Sequence, residues 1–318
     1  MSLKKLNLKE RKTTLVRRIV QIISFLFINY IIIEIIFSIN LYSFQGIVKV
    51  LPILNSPRNP LSEGAGILEY IFYTIAQGEF PFLLIGILIV VLLLTNRFFC
   101  GWICPIGTIQ DGICAIPTKE RKFTADTHNT LKNFKYLLVI VIIIVIVPLG
   151  FTQNTDLVFY FQYKRNIGEW AQKPMGFFSL SEYIFVYIPD MFTKMWERQS
   201  LEPLVEGEFP QNILPLARVI FFIVIIALAV FYPRFYCRYI CPFGAVASVV
   251  SDYSLLKLSR SPVRCVGRAE CGICERVCPM QIKILDEPFE FFTGKGECIY
   301  CLKCKERCPY DAIEYKFG

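Results

Sequence analysis

The sequence predicts an all-α integral membrane domain, with four transmembrane helices in two parallel repeats, followed by a small α+β domain that is rich in cysteine. Composition gives the first observation, because 54% of the 318 residues are hydrophobic and the mean hydropathy is +0.49, too apolar for an ordinary soluble domain. The second is a Cys-x3-Cys-Pro motif that occurs twice. The third is that eight of the thirteen cysteines lie beyond residue 260.

Four apolar runs are long enough, or nearly so, to cross a bilayer core, which takes about 20 helical residues. The first run is not a cleavable signal peptide, because it carries Asn29 and Glu34 and no small-residue cleavage pattern follows it. The membrane domain is expected at residues 19–256. Its predicted spans cover residues 19–38, 82–103, 136–152 and 213–233.

Charge in the loops predicts the orientation of the spans. The amino-terminal segment 1–18 holds seven basic residues and one acid, so it is expected in the cytoplasm, and four crossings return the tail at residues 257–318 to the same side. The segment 154–212 holds eight acids and five basic residues and is expected to face outward. We therefore expect a multi-pass protein of the cytoplasmic (inner) membrane, in contact with the lipid bilayer. The basic residues form no nucleic-acid motif, which argues against a nucleic-acid partner.

Two cysteine motifs in the tail predict iron–sulfur clusters. Residues 298–309, CIYCLKCKERCP, have the spacing C-x2-C-x2-C-x3-C-P, in which three thiolates bind one cluster and the fourth binds a second cluster. Residues 265–279, CVGRAECGICERVCP, end in the same way but have a longer first gap, which leaves open whether Cys265 is a ligand. The tail is therefore predicted to be bacterial-ferredoxin-like, with zinc held by four cysteines as the alternative. The cross-over rule assigns one [4Fe-4S] cluster to Cys265, Cys271, Cys274 and Cys308 and the other to Cys298, Cys301, Cys304 and Cys278.

The repeated motif predicts a further site beside the membrane. Residues 97–107, RFFCGWICPIG, and residues 234–244, RFYCRYICPFG, share seven residues, and cysteines four apart project from one face of a helix that the prolines are expected to end. Repeats of this kind commonly share a site at their interface. The site is predicted to be a third iron–sulfur or other iron centre, with a dithiol/disulfide couple or simple apolar packing as alternatives. Its candidate ligands are Cys100, Cys104, Cys237 and Cys241.

The charged residues and the lone cysteine near these motifs have simpler interpretations. Arg97 and Arg234 are expected to anchor the spans at the interface, or else to lower thiolate pKa values and neutralise a cluster. Cys114 has no counterpart in the second repeat and is expected to be a structural thiol.

Taken together, these motifs resemble those of the NapH, NosR and CcoG group of membrane polyferredoxins over residues 20–318, and NapH most closely. We therefore expect neither the outward flavin-binding domain of NosR-like members nor the extra carboxyl-terminal domain of CcoG-like members. The resemblance implies a quinol dehydrogenase or electron-relay subunit that exchanges electrons between the quinone pool and a periplasmic or membrane-bound oxidoreductase. The alternatives are a CcoG-like copper or iron reductase in enzyme assembly and an iron–sulfur sensor. The direction of electron flow stays open.

Other carriers are disfavoured by what the sequence lacks. The single histidine, His128, lies in the polar stretch TADTHNT and is expected in a solvated loop, so no bis-histidine haem can form within the chain. A C-x-x-C-H motif, a G-x-G-x-x-G fingerprint and a P-loop are also missing. Quinone remains as the membrane-soluble carrier. Glu34 is the only acid inside a predicted span and is the candidate proton acceptor, unless it faces headgroups, and Arg218 is a conceivable partner for it.

Overall fold

The computed structural model describes most of the chain. Glu34, its proposed pairing with Arg218, and the second half of the first predicted span lie outside the described residues. The described residues are 12–28, 67–115, 121–168, 175, 178–199 and 214–318.

The described part of the first repeat consists of helices that lead into the cysteine motif. Helix α3 (Phe82–Thr95) is apolar on all sides, and it ends where Asn96 takes a left-handed conformation with φ of 56°. The predicted span at residues 82–103 is therefore two helices rather than one. The helices up to this motif are α1 (Lys12–Ile28), α2 (Ile67–Ala76), α3 (Phe82–Thr95), α4 (Phe98–Trp102) and α5 (Pro105–Ile113).

The second repeat follows the same order around a long central helix. The Thr124 side chain caps this helix by accepting a hydrogen bond from the Thr127 N–H, so the helix begins well before the apolar run at residues 136–152. A π-helix, Tyr183–Tyr187, joins two of the later helices. The helices are α6 (Ala125–Thr155), α7 (Leu157–Ile167), α8 (Leu180–Glu182), α9 (Ile188–Arg198), α10 (Leu214–Phe231), α11 (Phe235–Tyr239) and α12 (Pro242–Ser251).

One helix in the described parts of the chain, α6, is both long and apolar enough to cross a membrane. It contains the whole of the third predicted span. The helices α3 and α10 lie where the second and fourth spans were expected, but their apolar parts are shorter. All four crossings therefore stay predictions.

The prediction that the two cysteines of each motif project from one face of a single helix is wrong. Pro105 is the first residue of α5, and Cys104 is the residue that precedes it, whereas Cys100 lies in α4. The second repeat has the same arrangement, with Pro242 beginning α12. Proline suits the first helical position because it has no N–H to leave unpaired there. The two cysteines of each motif therefore lie on either side of the break between two helices instead of on one helical face.

The tail is a small α+β domain, as predicted. Strands β1 (Leu256–Arg260) and β2 (Ile313–Phe317) pair antiparallel, with Leu256 opposite Phe317 and Arg260 opposite Ile313. Between the strands lie α13 (Gly267–Glu270), α14 (Ile273–Arg276), a 3₁₀ turn (Ile284–Asp286) and α15 (Lys303–Glu306).

The tail packs directly into the helical part. A Cβ added to Gly101 would overlap the carbonyl oxygen of Ile299, and one added to Gly296 would overlap that of Ser248. Only glycine permits backbones to approach this closely. The Trp102 indole N–H also donates to the Tyr300 carbonyl over 2.9 Å. Both parts therefore share one continuous core.

Candidate iron–sulfur centres

The first set of tail cysteines lies around one small cavity, which we call site A. The structure brings together the four side chains that the cross-over rule assigns to one cluster, although the gap after Cys265 is longer than the usual spacing. Burial, together with the neighbouring Glu275, Cys265 and Cys271, raises the pKa of the Cys274 thiol to about 11, against a hydrogen bond from the Glu275 N–H. Site A consists of Cys265, Cys271, Cys274 and Cys308.

The second set of tail thiols forms site B, which is more deeply buried. Burial first, and then the nearby Cys301 and Cys278, raise the pKa of Cys298 to about 12. Burial and the same neighbours, with Cys298, raise the pKa of Cys304. These four side chains therefore lie within electrostatic range of one another. Site B consists of Cys278, Cys298, Cys301 and Cys304.

The backbone around sites A and B repeats itself. Gly272 follows Cys271 with φ of 60°, and Leu302 follows Cys301 with the same φ, so each left-handed residue begins a short helix that holds the third cysteine. A leucine in this conformation is strained by about 1–2 kcal/mol, and such positions persist only where the surrounding structure fixes them. Leu302 is 6% exposed, so its side chain is held in the core.

The four cysteines of the Cys-x3-Cys-Pro motifs also converge, at what we call site C. Burial first, and then Cys100 and Cys241, raise the pKa of Cys104 to about 12. The Gln110 side-chain amide donates to the Cys237 sulfur over 3.0 Å. Site C therefore brings together two candidate ligands from each repeat: Cys100, Cys104, Cys237 and Cys241.

The two repeats meet reciprocally at site C. A Cβ on Gly107 would lie 3.3 Å from Arg234 Nη1, and a Cβ on Gly244 would lie 3.0 Å from Arg97 Nη2. Each motif glycine therefore makes room for the guanidinium of the other repeat. This exchange is what a pseudo-twofold relation between the repeats produces.

Both arginines are buried, so the expectation that they anchor the spans at the interface is wrong. Arg234 is fully buried and donates to Asp111 from Nη2 over 2.6 Å and from Nε over 3.0 Å, and to the Cys100 carbonyl over 2.8 Å. Burial acts to raise the pKa of Asp111, but Arg234 and Arg17 outweigh it and hold that pKa well below its usual range. The second repeat has Ser248 at the position that corresponds to Asp111 in the first.

The tail supplies the carboxylate that the second repeat lacks. Arg97 Nη1 lies 2.7 Å from Glu297 Oε2, and Lys135 Nζ lies 2.5 Å from Glu297 Oε1. Lys135 immediately precedes the third predicted span, and its side chain is fully buried in α6. Burial acts to raise the pKa of Glu297, and the two cations outweigh it and lower that pKa. Glu297 immediately precedes Cys298, so this ion-pair network joins site B to site C.

The solvated-loop prediction for His128 is also wrong. His128 lies in the first turns of α6, where its Nδ1 is 2.8 Å from the Tyr239 hydroxyl and 3.2 Å from Arg238 Nη2. It lines a cleft of about 1170 Å³ between the start of α6 and the tail. The same cleft reaches Cys271 of site A and Glu297 beside site B.

Four cysteine thiolates are a donor set that both structural zinc and [4Fe-4S] clusters use. Within the parts of the chain that the structure describes, no three His, Cys, Asp or Glu side chains are placed to hold one metal ion. The Cys-x2-Cys-x2-Cys-x3-Cys-Pro spacing of residues 298–309 is the spacing typical of ferredoxins, so these donor sets fit [4Fe-4S] clusters.

Comparison with known protein families identifies the class. A 4Fe-4S binding domain matches residues 78–122 and 214–261, and a 4Fe-4S dicluster domain matches residues 264–313. These segments contain site C in two halves and all the cysteines of sites A and B. The chain is therefore an iron–sulfur protein of the ferredoxin type, related to electron-transfer proteins.

Individual relatives extend over most of the chain. An uncharacterized protein of Methanocaldococcus jannaschii is 28% identical over 235 residues, 72% of this chain and 68% of the relative. The putative electron transport protein YccM of Escherichia coli is 27% identical over 249 residues, 74% of this chain and 57% of the relative. The ferredoxin-type protein NapH of Escherichia coli is 23% identical over 250 residues, 76% of this chain and 70% of the relative.

The chain belongs to the NapH/NosR-type polyferredoxin family. No solved structure matches it.

Proposed function

We propose that this protein is a membrane-bound electron-transfer subunit, akin to a quinol dehydrogenase, which relays electrons between the quinone pool and a partner oxidoreductase. The observation that carries this proposal is the buried junction between sites B and C. Ile299 and Tyr300, in the loop of site B, contact Gly101 and Trp102, which lie between the cysteines of the first motif. A membrane site and a tail site this closely packed suit passage of electrons from one to the other.

Sites A and B would each hold a [4Fe-4S] cluster, and site C would hold a third iron–sulfur centre. Their all-thiolate donor sets fit such clusters, which supply reversible one-electron transfer when bound. The protein's part is to bury the thiolates and offset their negative charge. At site C, Arg97 and Arg234 do this from the two repeats.

Several features support a membrane location with four crossings. Apolar side chains cover the outer faces of three of the helices, and Leu83, Ile144 and Ile223 are 77%, 63% and 56% exposed. Exposed apolar surface of this extent is unfavourable in water and favourable in lipid. The basic amino terminus predicts that both chain ends lie in the cytoplasm, with the tail, in the inner membrane.

The position of the quinone follows from distance. A quinone headgroup bound at Glu34, which is expected near the outer boundary of the membrane, would be separated from sites B and C by most of a bilayer core of about 30 Å. We therefore place the quinone on the cytoplasmic side near site C, and keep Glu34 as a proton acceptor only if a relay exists. The cleft beside His128 reaches Cys271, so it offers a redox partner an approach to site A.

The first test is the iron and acid-labile sulfide content of anaerobically purified protein. We expect wild type to hold more than about eight irons, the content of two cubane clusters, and a variant with all four cysteines of site C changed to serine to fall to about eight. Cys114→Ser is the matched control, since Cys114 belongs to none of the three sites. Equal iron in wild type and the site C variant would exclude a third cluster.

The second test separates the electron-relay function from its rivals. Mixing the oxidised protein anaerobically with a short-chain quinol should bleach the cluster absorbance, and the site C variant should bleach more slowly. Suppose that quinol never bleaches the protein, but that protein bleached by dithionite is reoxidised by cupric ion. That result would instead support a copper reductase. Clusters that exchange electrons with neither would favour a sensor.

A further inference from the structure

Arg17 is a buried cation in a helix whose neighbouring residues are exposed. Leu15, Val16 and Ile19 of α1 are all about half exposed, whereas Arg17 is 0% exposed. Helix α1 packs against α5 and against α15, the short helix that holds Cys304 of site B. Arg17 is therefore held between the first repeat and the tail.

No described residue accepts a hydrogen bond from the guanidinium of Arg17. Its Nη1 lies 3.3 Å from Asp111 Oδ2, yet Nε, Nη1 and Nη2 make no hydrogen bond with any described residue. The Asp111 carboxylate is already taken, because it accepts from Arg234 and from the Gln21 amide over 2.9 Å. Arginine has five N–H donors, and buried donors almost always find an acceptor. An acceptor other than these side chains is therefore required.

Site B is the neighbouring group that has acceptors to offer. Cys301 lies within electrostatic range of both Arg17 and Arg234. We propose that Arg17 donates N–H groups to the sulfurs of the cluster held by Cys278, Cys298, Cys301 and Cys304, and thereby raises the reduction potential of that cluster. The inference rests on the proposed function, since it requires site B to hold a cluster.

The physical reason is the charge that reduction adds. One electron makes the cluster with its four thiolates more negative, and a fixed cation in a buried, low-dielectric setting stabilises that added charge. Hydrogen bonds to the sulfurs act in the same direction, and they are among the factors that set cluster potentials. Arg17 would thus be a positioning residue that favours the electron at site B, beside site C.

The experiment is a reductive titration of the full-length protein with dithionite, followed by electron paramagnetic resonance. We expect Arg17→Gln to reduce the equilibrium constant for reduction of one cluster at least tenfold, which is about 59 mV for one electron. Cys301→Ser identifies that signal as the one from site B. Arg17→Lys keeps the positive charge but loses the planar array of N–H donors. Its midpoint potential should therefore shift less than that of Arg17→Gln. Lys12→Gln is the matched control, because Lys12 is an exposed cation at the start of the same helix and the midpoint potential should not move.

The result that would overturn the inference is a site B midpoint that stays at the wild-type value in Arg17→Gln while iron content is unchanged. Arg17 would then be only a counter-ion of Asp111. If Arg17→Gln does not assemble, Arg17→Lys decides, because a wild-type midpoint there excludes a role for the guanidinium hydrogen bonds. Wild-type protein with fewer than about eight irons would instead contradict the proposed function itself.

Discussion

Arg97 Nη1 lies 2.7 Å from Glu297 Oε2, and this ion pair connects the first Cys-x3-Cys-Pro motif to the residue before Cys298. Both side chains are almost fully buried, and Lys135 completes the network from α6. A buried carboxylate between two cations is stabilised only in the assembled structure. The docking of the tail and the conformation of the first motif therefore depend on each other through this ion pair.

Replacing Glu297 with glutamine should loosen that docking. Glu297→Gln leaves Arg97 and Lys135 as buried cations without their carboxylate, and breaking a buried pair in this way costs about 3–5 kcal/mol. We expect the free energy of unfolding in detergent to fall by that amount, as measured by denaturant titration. Glu290→Gln, at an exposed position of the tail, should leave it unchanged. Equal stability of the two variants would show that the tail is held by other contacts.

Gly101→Ala tests the close approach of the tail to the first motif. The added methyl group would overlap the Ile299 carbonyl oxygen, so the loop of site B must shift. Overpacking of this kind costs about 1–3 kcal/mol, and it should also slow cluster reduction by quinol. The control is Gly86→Ala in α3, where an added Cβ meets nothing within 4 Å. Unaltered stability and an unaltered reduction rate in Gly101→Ala would show that neither depends on the close contact between sites B and C.

Much of this organisation could be predicted from the sequence, because cysteine spacing is a local signal. The cross-over rule grouped Cys265 with Cys308 across the tail, and the repeated motif grouped Cys100 with Cys241; the structure brings both sets together. The apolar run at residues 136–152 predicted the central part of α6.

Other features could not be predicted, because they depend on tertiary partners. Nothing local marks Asp111, Glu297 or Arg17 as buried, since each is an ordinary charged residue in a polar or mixed stretch. One available signal was the arginine before each motif, which is repeated while the acid at position 111 is replaced by Ser248. A repeated cation without a repeated anion indicates that a partner comes from elsewhere. Helix starts were missed for a similar reason, because the Thr124 cap extends α6 beyond its apolar run.

The ion pair of Asp111 should make stability depend on pH. Burial acts to raise its pKa, but Arg234 and Arg17 outweigh this and hold it well below the unfolded value of about 3.9. A lowered pKa contributes stability that is present above the unfolded pKa and lost as pH falls through the folded one.

We therefore expect Asp111→Asn to be less stable than wild type by about 3–5 kcal/mol at neutral pH. The difference should narrow below about pH 4. Thermal melts between neutral and acidic pH measure this, with iron content followed in parallel so that cluster loss is separated from unfolding. Asp190→Asn, at a half-exposed surface pair, should track wild type at every pH. A difference in stability between Asp111→Asn and wild type that does not change with pH would show that the carboxylate charge is not the source of the stability lost in Asp111→Asn.

Cys265→Ser decides whether the unusual first motif binds a cluster. Cys265 lines the cavity of site A together with the three other thiols, and Arg260 Nη1 lies 3.9 Å from its sulfur. Removing one of four thiolates should release the cluster, so we expect a loss of about four irons and of one of the two tail signals in electron paramagnetic resonance. Cys298→Ser, at the matching place in the second motif, should remove the other signal. Cys114→Ser should remove neither, because its sulfur lies 3.5 Å from the Ala229 carbonyl oxygen and Cys114 belongs to none of the three four-cysteine sets. If Cys265→Ser keeps full iron content and both signals, another group completes site A, and the longer spacing after residue 265 reflects a cysteine that is not a ligand.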